Sequence, residues 1–377
     1  MRTHLVLLFL GFMSVVKAQS SDRQAISDAL QLQDYPRALS LLEQLPEGTE
    51  SKRKMAYCHY QLGNWKAAKE SYLTVLKDDS LDIQSHLYLG IIYDQEYDLP
   101  KAILHYRRLS TIDSTNTTYL KALAKTYEKA GLTADALKLY EKVHGMNDQD
   151  ITALLNLATI WLDLKEFAIA DSLSSLAFEL DTNNLQVILT KARSQYSLKS
   201  YEEAVHFFER TRGHIDLNPF YQKMLGYAYL QIDSIDKAIF VLSNLLYKEQ
   251  SEYTYSYLAK AHAQKEEWDQ AISFYEQAVK AGLSENLEQY HLALAKLNKD
   301  HGHLKEVIYH FDEAYHYSDN PDYIFYKAQA TENYYADKNM AMDQYRRYLR
   351  LVGDDGQFAD YANDRIRLLK EYIHQSR

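Results

Sequence analysis

Six alanines, Ala68, Ala102, Ala136, Ala170, Ala204 and Ala238, recur at intervals of 34 residues, and in most copies a bulky residue follows four places later. A fixed period of this size marks an array of stacked units, each one supersecondary element that buries its apolar face only against its neighbours. A small side chain followed by a large one at helical spacing suits two helices that must approach closely. The small residue admits the partner backbone and the large one fills the gap beside it. The chain therefore reads as all-helical.

Set in register, the copies share a longer pattern. Residues 83–116 give Leu89, Gly90, Tyr93, Ala102 and Tyr106; the next copy gives Leu123, Ala124, Tyr127, Gly131, Ala136 and Tyr140; a later one gives Leu225, Gly226, Tyr229, Ala238 and Leu242. Weaker copies run through Tyr35 and Ala38 in front and through Trp268, Ala271, Tyr275, Val307, Phe311, Ala341 and Tyr345 behind. This pattern resembles the tetratricopeptide repeat family, whose helix-turn-helix unit has the same length. The resemblance implies an all-α, right-handed superhelical solenoid of about ten units over residues 19–355, with spacings slipping to 30, 33 and 36 near the ends and late in the chain. Helices of roughly a dozen residues are marginal alone in water, so a lone unit is not expected to fold.

The punctuation agrees with this register. Pro36 and Pro100 fall in the first turn of second helices, where a missing backbone donor does no harm. Asn218-Pro219 and Asn320-Pro321 read as Asn caps with Pro opening a first helix, and Pro46 falls in a turn between repeats. With only 12 Gly and 5 Pro and no biased tract, long irregular loops and interdomain linkers are not expected, and one continuous array is. Residues 357–373 read as one more amphipathic helix, with Phe358, Tyr361, Ile366, Leu369 and Tyr372 on its apolar side, within a capping segment at 356–377.

The first 18 residues differ from the rest: Arg2, an apolar run from Leu5 to Val16, then Val16-Lys17-Ala18 as a small-x-small site. This is the pattern of an export signal, too short to span a bilayer, and it implies a periplasmic or secreted protein, with peripheral attachment to an outer membrane left open. Cleavage after Ala18 takes the basic residues from 42 to 40 against 52 acidic ones, and the formal charge from −10 to −12. That balance argues against nucleic acid as a partner. The single cysteine, Cys58, sits at a normally small, buried position and reads as an inert packed thiol.

No phosphate loop, paired-cysteine metal signature, His-Glu-x-x-His element or calcium loop occurs, so no enzyme activity, cofactor or metal is expected. The nearest cluster, His301, His303 and His310 with Glu306, brackets a turn at Gly302, where histidines are usually solvated.

The tetratricopeptide resemblance also implies where a ligand sits. First helices line the concave surface, and their second, fifth, sixth, ninth, twelfth and thirteenth positions face it. Here these collect Arg53, Tyr57, Tyr60, Tyr88, Lys121, Lys125, Asn156, Arg193, Tyr196, Lys223, Tyr227, Tyr253, Tyr257, Lys260, Lys296, Tyr326 and Lys327. Basic residues outnumber the acidic Glu50, Asp94, Glu128, Asp163 and Asp300 on the same positions. The expectation is a basic, tyrosine-lined groove for an extended acidic segment of a protein or peptide, with an anionic glycan or other polyanion as the alternative. The plainer reading is that these lysines are solvated faces whose stems cover their neighbours. The Lys and Asn set with which some family members grip a terminal carboxylate has no counterpart at Arg53, Tyr57, Gln84 and Tyr88.

Overall fold

The structure, a computed structural model, describes residues 22–46, 48–211, 213–282 and 286–375. The export signal expected over residues 1–18 lies outside them. Among the described residues the chain is all-α, with 21 helices and no strand. They form helix-turn-helix units in a solenoid, grouped into two compact units, Met1–Asp181 and Thr182–Arg377.

In the first unit, α1 (22–31) pairs with α2 (Tyr35–Leu42). Four more hairpins follow: α3 (Thr49–Gln61) with α4 (Trp65–Asp78), α5 (Ile83–Gln95) with α6 (Leu99–Ile112), α7 (Thr117–Lys129) with α8 (Thr133–Met146), and α9 (Ile151–Asp163) with α10 (Phe167–Leu180). In the second, α11 (Leu185–Ser197) pairs with α12 (Tyr201–Arg210), α13 (Pro219–Gln231) with α14 (Ile235–Leu246), and α15 (Glu252–Gln264) with α16 (Trp268–Ala281). The chain continues through α17 (Leu287–Asp300) with α18 (Leu304–Ser318) and α19 (Asp322–Tyr334) with α20 (Lys338–Val352), and finishes on α21 (Ala359–Gln375).

The sequence period returns as three recurring physical features of the hairpins. First, the six alanines are fully buried at the helix crossings. Gly90 and Gly226 are tighter still: a Cβ on Gly90 would stand 2.7 Å from Tyr106 Cε1, and one on Gly226 would stand 2.6 Å from Leu242 Cδ2. The two aromatic core series behave as expected, with Tyr93, Tyr127 and Tyr229 buried on first helices and Tyr72, Tyr106, Tyr140, Tyr275 and Tyr345 on second helices. Second, first helices open on a capping side chain every 34 residues. Asp82, Asn116, Asp150, Asn184 and Asn218 each accept from a backbone N–H two or three residues on.

Third, the turn inside every hairpin but α19–α20 holds one residue in the left-handed region: Gln33, Gly63, Tyr97, Gly131, Lys165, Lys199, Asp233, Glu266 and Gly302, with φ between 57 and 78°. The next residue's N–H then reaches back five residues, as from Leu132 to Tyr127 O and from Glu166 to Trp161 O, and closes the end of the first helix. Only three of the nine are glycine, so the geometry is imposed by the packing of the hairpin and tolerated by the side chains.

Helix starts follow the prolines closely. Asp34 and Asp98 cap the helices carrying Pro36 and Pro100, and Asn218 caps α13 with Pro219 at its first position. At the other site the structure shifts the expected start by one residue: α19 begins at Asp322, Pro321 stands at its cap, and Asn320 Oδ1 accepts from Asp322 N–H. The last helix, α21, buries Ala362, Ile366 and Leu369 in a cluster with Ile324, Phe325, Ala341, Tyr345 and Tyr348. Tyr361 and Tyr372, expected on its apolar side, stand 49% and 56% exposed, because the buried stripe is narrower than the apolar one.

Candidate binding face

The first helices of each unit carry the residues expected to meet a ligand, and their tyrosines gather. In the first unit the Tyr88 ring of α5 lies 4.7 Å from Tyr60 and 5.5 Å from Tyr57, both on α3. Tyr72 of α4 stacks on the same ring at 5.5 Å and 4°, and Tyr35 of α2 meets Tyr57 edge-on at 6.0 Å. In the second unit Tyr227 of α13 is the hub, 4.7 Å from Tyr257, 6.0 Å from Tyr196 and 5.9 Å from Tyr201. Tyr253 extends this cluster through Tyr257 and is 43% exposed. Burial, with neighbouring tyrosines adding to it, pushes the Tyr88 and Tyr257 hydroxyls up to about 12, so they remain proton donors at any physiological pH. Tyr326 belongs to a separate group: it stacks on Phe311 at 5.5 Å and lines a cavity of about 330 Å³ with Lys299, Gln329, Asn333, Tyr361 and the Glu332–Arg365 ion pair.

The basic side chains behave differently from the expectation. Arg53 Nε lies 2.8 Å from Asp82, Lys121 Nζ 2.6 Å from Asp150, Lys223 Nζ 2.5 Å from Glu249 and Lys327 Nζ 2.6 Å from Asp312. The first three share one cause. Each is the fifth residue of its first helix, and each reaches an acid at or just before the start of the next first helix. Where that cap is the neutral Asn116, Asn184 or Asn218, the fifth residue is Leu87, Leu155 or Leu189. Asp82 and Asp150 are nearly buried, and a carboxylate out of water needs a counterion as well as the backbone donors it caps. These cations thus satisfy the next repeat's cap and are not free for a ligand.

Other positions are spoken for more loosely. Asn156 Nδ2 donates to Thr152 O within its own helix, and Arg193 lies over the Phe220 ring at 5.6 Å. Lys260 reaches solvent, yet its ammonium stands 5.8 Å from the Tyr257 ring and burial lowers its pKa. Among the described residues, Lys125, Lys260 and Lys296 are exposed and engaged in no ion pair. In place of the expected row of cations, each unit shows a cluster of tyrosines, with Lys125 exposed in the first and Lys260 and Lys296 exposed in the second.

Comparison with known proteins bears on what such a face belongs to. A family model described as tetratricopeptide repeat matches residues 53–117, a second of the same description matches residues 254–289, and one described as anaphase-promoting complex, cyclosome, subunit 3 matches residues 129–211. Each unit thus holds a segment that matches a tetratricopeptide repeat model. The repeat array is 23% identical over 158 residues to the TPR repeat-containing protein YpiA of Bacillus subtilis (strain 168), a match covering 41% of this chain and 37% of that relative. The match therefore spans little more than a third of the relative's length. Among solved structures, a tetratricopeptide repeat protein from Parabacteroides merdae ATCC 43184 is similar with a TM-score of 0.48 at 17% identity, over 64% of this chain and 96% of that one. The MamA protein is similar with a TM-score of 0.39 at 21% identity, over 46% and 94%.

Two members of the tyrosine clusters lie on second helices and escape a reading confined to first helices. Tyr35 and Tyr201 open α2 and α12, where the first residue of a second helix turns toward the neighbouring first helices. An aromatic at the start of a second helix is the sequence signal that marks them. The histidines near Gly302 form no joint site: His301 Nδ1 lies 2.7 Å from Leu297 O, His303 Nδ1 3.3 Å from Asn298 Oδ1, and His310 is buried against His291. Cys58 is fully buried, and burial pushes its thiol up to about 11. Among the described residues, no helix is long and apolar enough to cross a membrane.

Proposed function

We propose that this chain is an exported, non-enzymatic scaffold that holds an extended segment of a partner protein against the tyrosine faces of its first helices. Tetratricopeptide repeats commonly serve protein–protein interaction, and the observation that carries the rest is the convergence of seven tyrosines, Tyr57, Tyr60, Tyr88, Tyr196, Tyr227, Tyr253 and Tyr257, into two ring clusters. Tyrosine gives large, rigid contact area at little entropic cost and a hydroxyl that can bond a peptide carbonyl. Lys125, Lys260 and Lys296 add charge that favours acidic side chains in the bound segment. The ion pairing of Arg53, Lys121, Lys223 and Lys327 removes the row of cations a polyanion would require, so a protein segment is preferred over a glycan. Export rests on the pattern of residues 1–18.

A photo-activated cross-linking residue in place of Tyr253, compared with one in place of the 65% exposed Phe240 on a second helix, tests this assignment. Cross-links to one protein from position 253 and none from 240 are expected. Capture from 240 alone, or of acidic polysaccharide with a steep salt dependence, would overturn it.

A further inference from the structure

Two hairpins, one in each unit, replace an apolar helix-to-helix contact with a pair of histidines. His86 of α5 faces His105 of α6 with Nδ1 to Nδ1 2.9 Å apart, and His291 of α17 faces His310 of α18 at 3.0 Å. The partners are separated by 19 residues in both cases, and all four rings are at most 7% exposed. At the same spacing three other repeats carry Leu120 with Leu139, Leu154 with Leu173 and Ile188 with Phe207, while Lys52 with Ser71 and Gln222 with Val241 stand there in two more. The first of these is a packed apolar contact in the core. Neither member of a histidine pair stands without the other.

The hydrogen bond in the first pair has a definite polarity. His86 Nε2 lies 3.1 Å from Ser80 O, and a carbonyl only accepts, so His86 carries its proton on Nε2. Its Nδ1 is then a lone pair in the neutral state, and His105 Nδ1–H must donate to it. One added proton preserves this bond, since a charged His105 still donates to a neutral His86. A second added proton leaves two N–H groups and two positive charges facing each other at a buried contact.

The surroundings do little to absorb that charge. Around the first pair, Tyr93 stacks on His105 at 5.6 Å, and Lys69 of α4 and Lys101 of α6 stand over the Tyr93 ring at 5.5 and 5.1 Å. Asp82, at the start of α5, is held by Arg53 and the Ser85 N–H. Around the second pair, Tyr309 and Tyr317 pack on His291, while Glu306 and Glu313 of α18 give partial compensation. Burial, and then the partner histidine, lowers His105 and His310 to about 4.

We infer that the two histidine pairs are acid-release latches: when both members of a pair take up protons, the hairpin that carries it opens, while the hairpins closed by Leu–Leu contacts stay shut. Below the ordinary histidine range the opened state binds protons that the closed state refuses, so acid selects it.

Backbone hydrogen exchange of the full chain at about pH 7.5 and about pH 5, corrected for intrinsic rates, tests the latch. Peptides from α5–α6 and α17–α18 are expected to lose at least tenfold more protection on acidification than those from α7–α8 and α9–α10. In the variant His86→Leu/His105→Leu the α5–α6 loss is expected to vanish and the α17–α18 loss to remain. Equal loss in all hairpins, no loss in the histidine hairpins, or persistence of the α5–α6 loss in the variant would overturn the inference. Should that variant fail to fold, imidazole ¹⁵N spectra of the unaltered protein decide. A His86 Nε2–H tautomer opposite a His105 Nδ1–H tautomer supports the pair, and rings titrating as free histidine would refute it.

Discussion

Gly226 stands at a helix crossing with no room for a side chain, and replacing it sets two known effects against each other. Alanine in place of glycine inside a helix ordinarily stabilises by about 0.5–1 kcal/mol, through backbone entropy. At Gly226 the new Cβ would stand 2.6 Å from both Cγ and Cδ2 of Leu242 and 3.3 Å from its Cδ1. Leu242 is fully buried and cannot swing clear, so the helices must separate or the leucine must leave its rotamer. Overpacking of this kind costs about 1–3 kcal/mol. The packing term wins, and Gly226→Ala should destabilise by roughly 1–2 kcal/mol after the propensity gain is subtracted. Gly145 in α8 is the control, since a Cβ there meets nothing within 4 Å and its backbone is helical. Gly145→Ala should stabilise by a few tenths to about 1 kcal/mol. Urea titration of the two variants, supported by hydrogen exchange of α13–α14 and α7–α8, gives the comparison. Shifts of the same sign and size would refute the account of why small residues stand at the helix crossings.

Removing a shared cap should be costly: Asp150→Ala loses the acceptor for Ala153 N–H and strands Lys121, for a destabilisation of about 1–3 kcal/mol by denaturant titration. Burial would raise the Asp150 pKa, but the hydrogen bond from Lys121 and the Ala153 N–H outweigh it and hold it low. Its contribution is therefore present above the unfolded value of about 4 and lost as pH falls through the lower folded value, where variant and parent should converge. In the opposite direction, Lys165→Gly relieves a left-handed turn at φ 64° on an exposed side chain, and should stabilise by about 0.5–1 kcal/mol, with no change expected for binding.

Much of the fold was readable because the period is carried by residues whose roles are local and steric. The alanine series, Gly90, Gly226 and the two tyrosine core series name their own positions. The candidate face was only half legible. Its tyrosines could be placed from the register, because a ring large enough to span the gap between adjacent first helices meets its neighbour wherever they lie. Its lysines could not, because the fate of Arg53, Lys121 and Lys223 is decided by an acid 26 to 29 residues further on. A register that treats each helix separately cannot see that partner, although the coincidence of a basic fifth residue with an acidic cap is present in the sequence. His86 and His105 were hidden for the same reason: each alone looks like a scattered histidine, and only the 19-residue spacing shared with His291 and His310 shows a substituted core contact.

We propose that the tyrosine clusters of the first helices do the binding. The most direct measurement is a titration of the cross-linked partner against the unaltered chain, Tyr57→Ala/Tyr88→Ala, Tyr227→Ala/Tyr257→Ala and a Lys125→Ala control. Each tyrosine pair should weaken Kd by tenfold or more and the lysine by threefold at most, as expected for buried aromatic anchors against a rim charge. Unchanged affinity in both tyrosine variants, with their helices intact by circular dichroism, would contradict it.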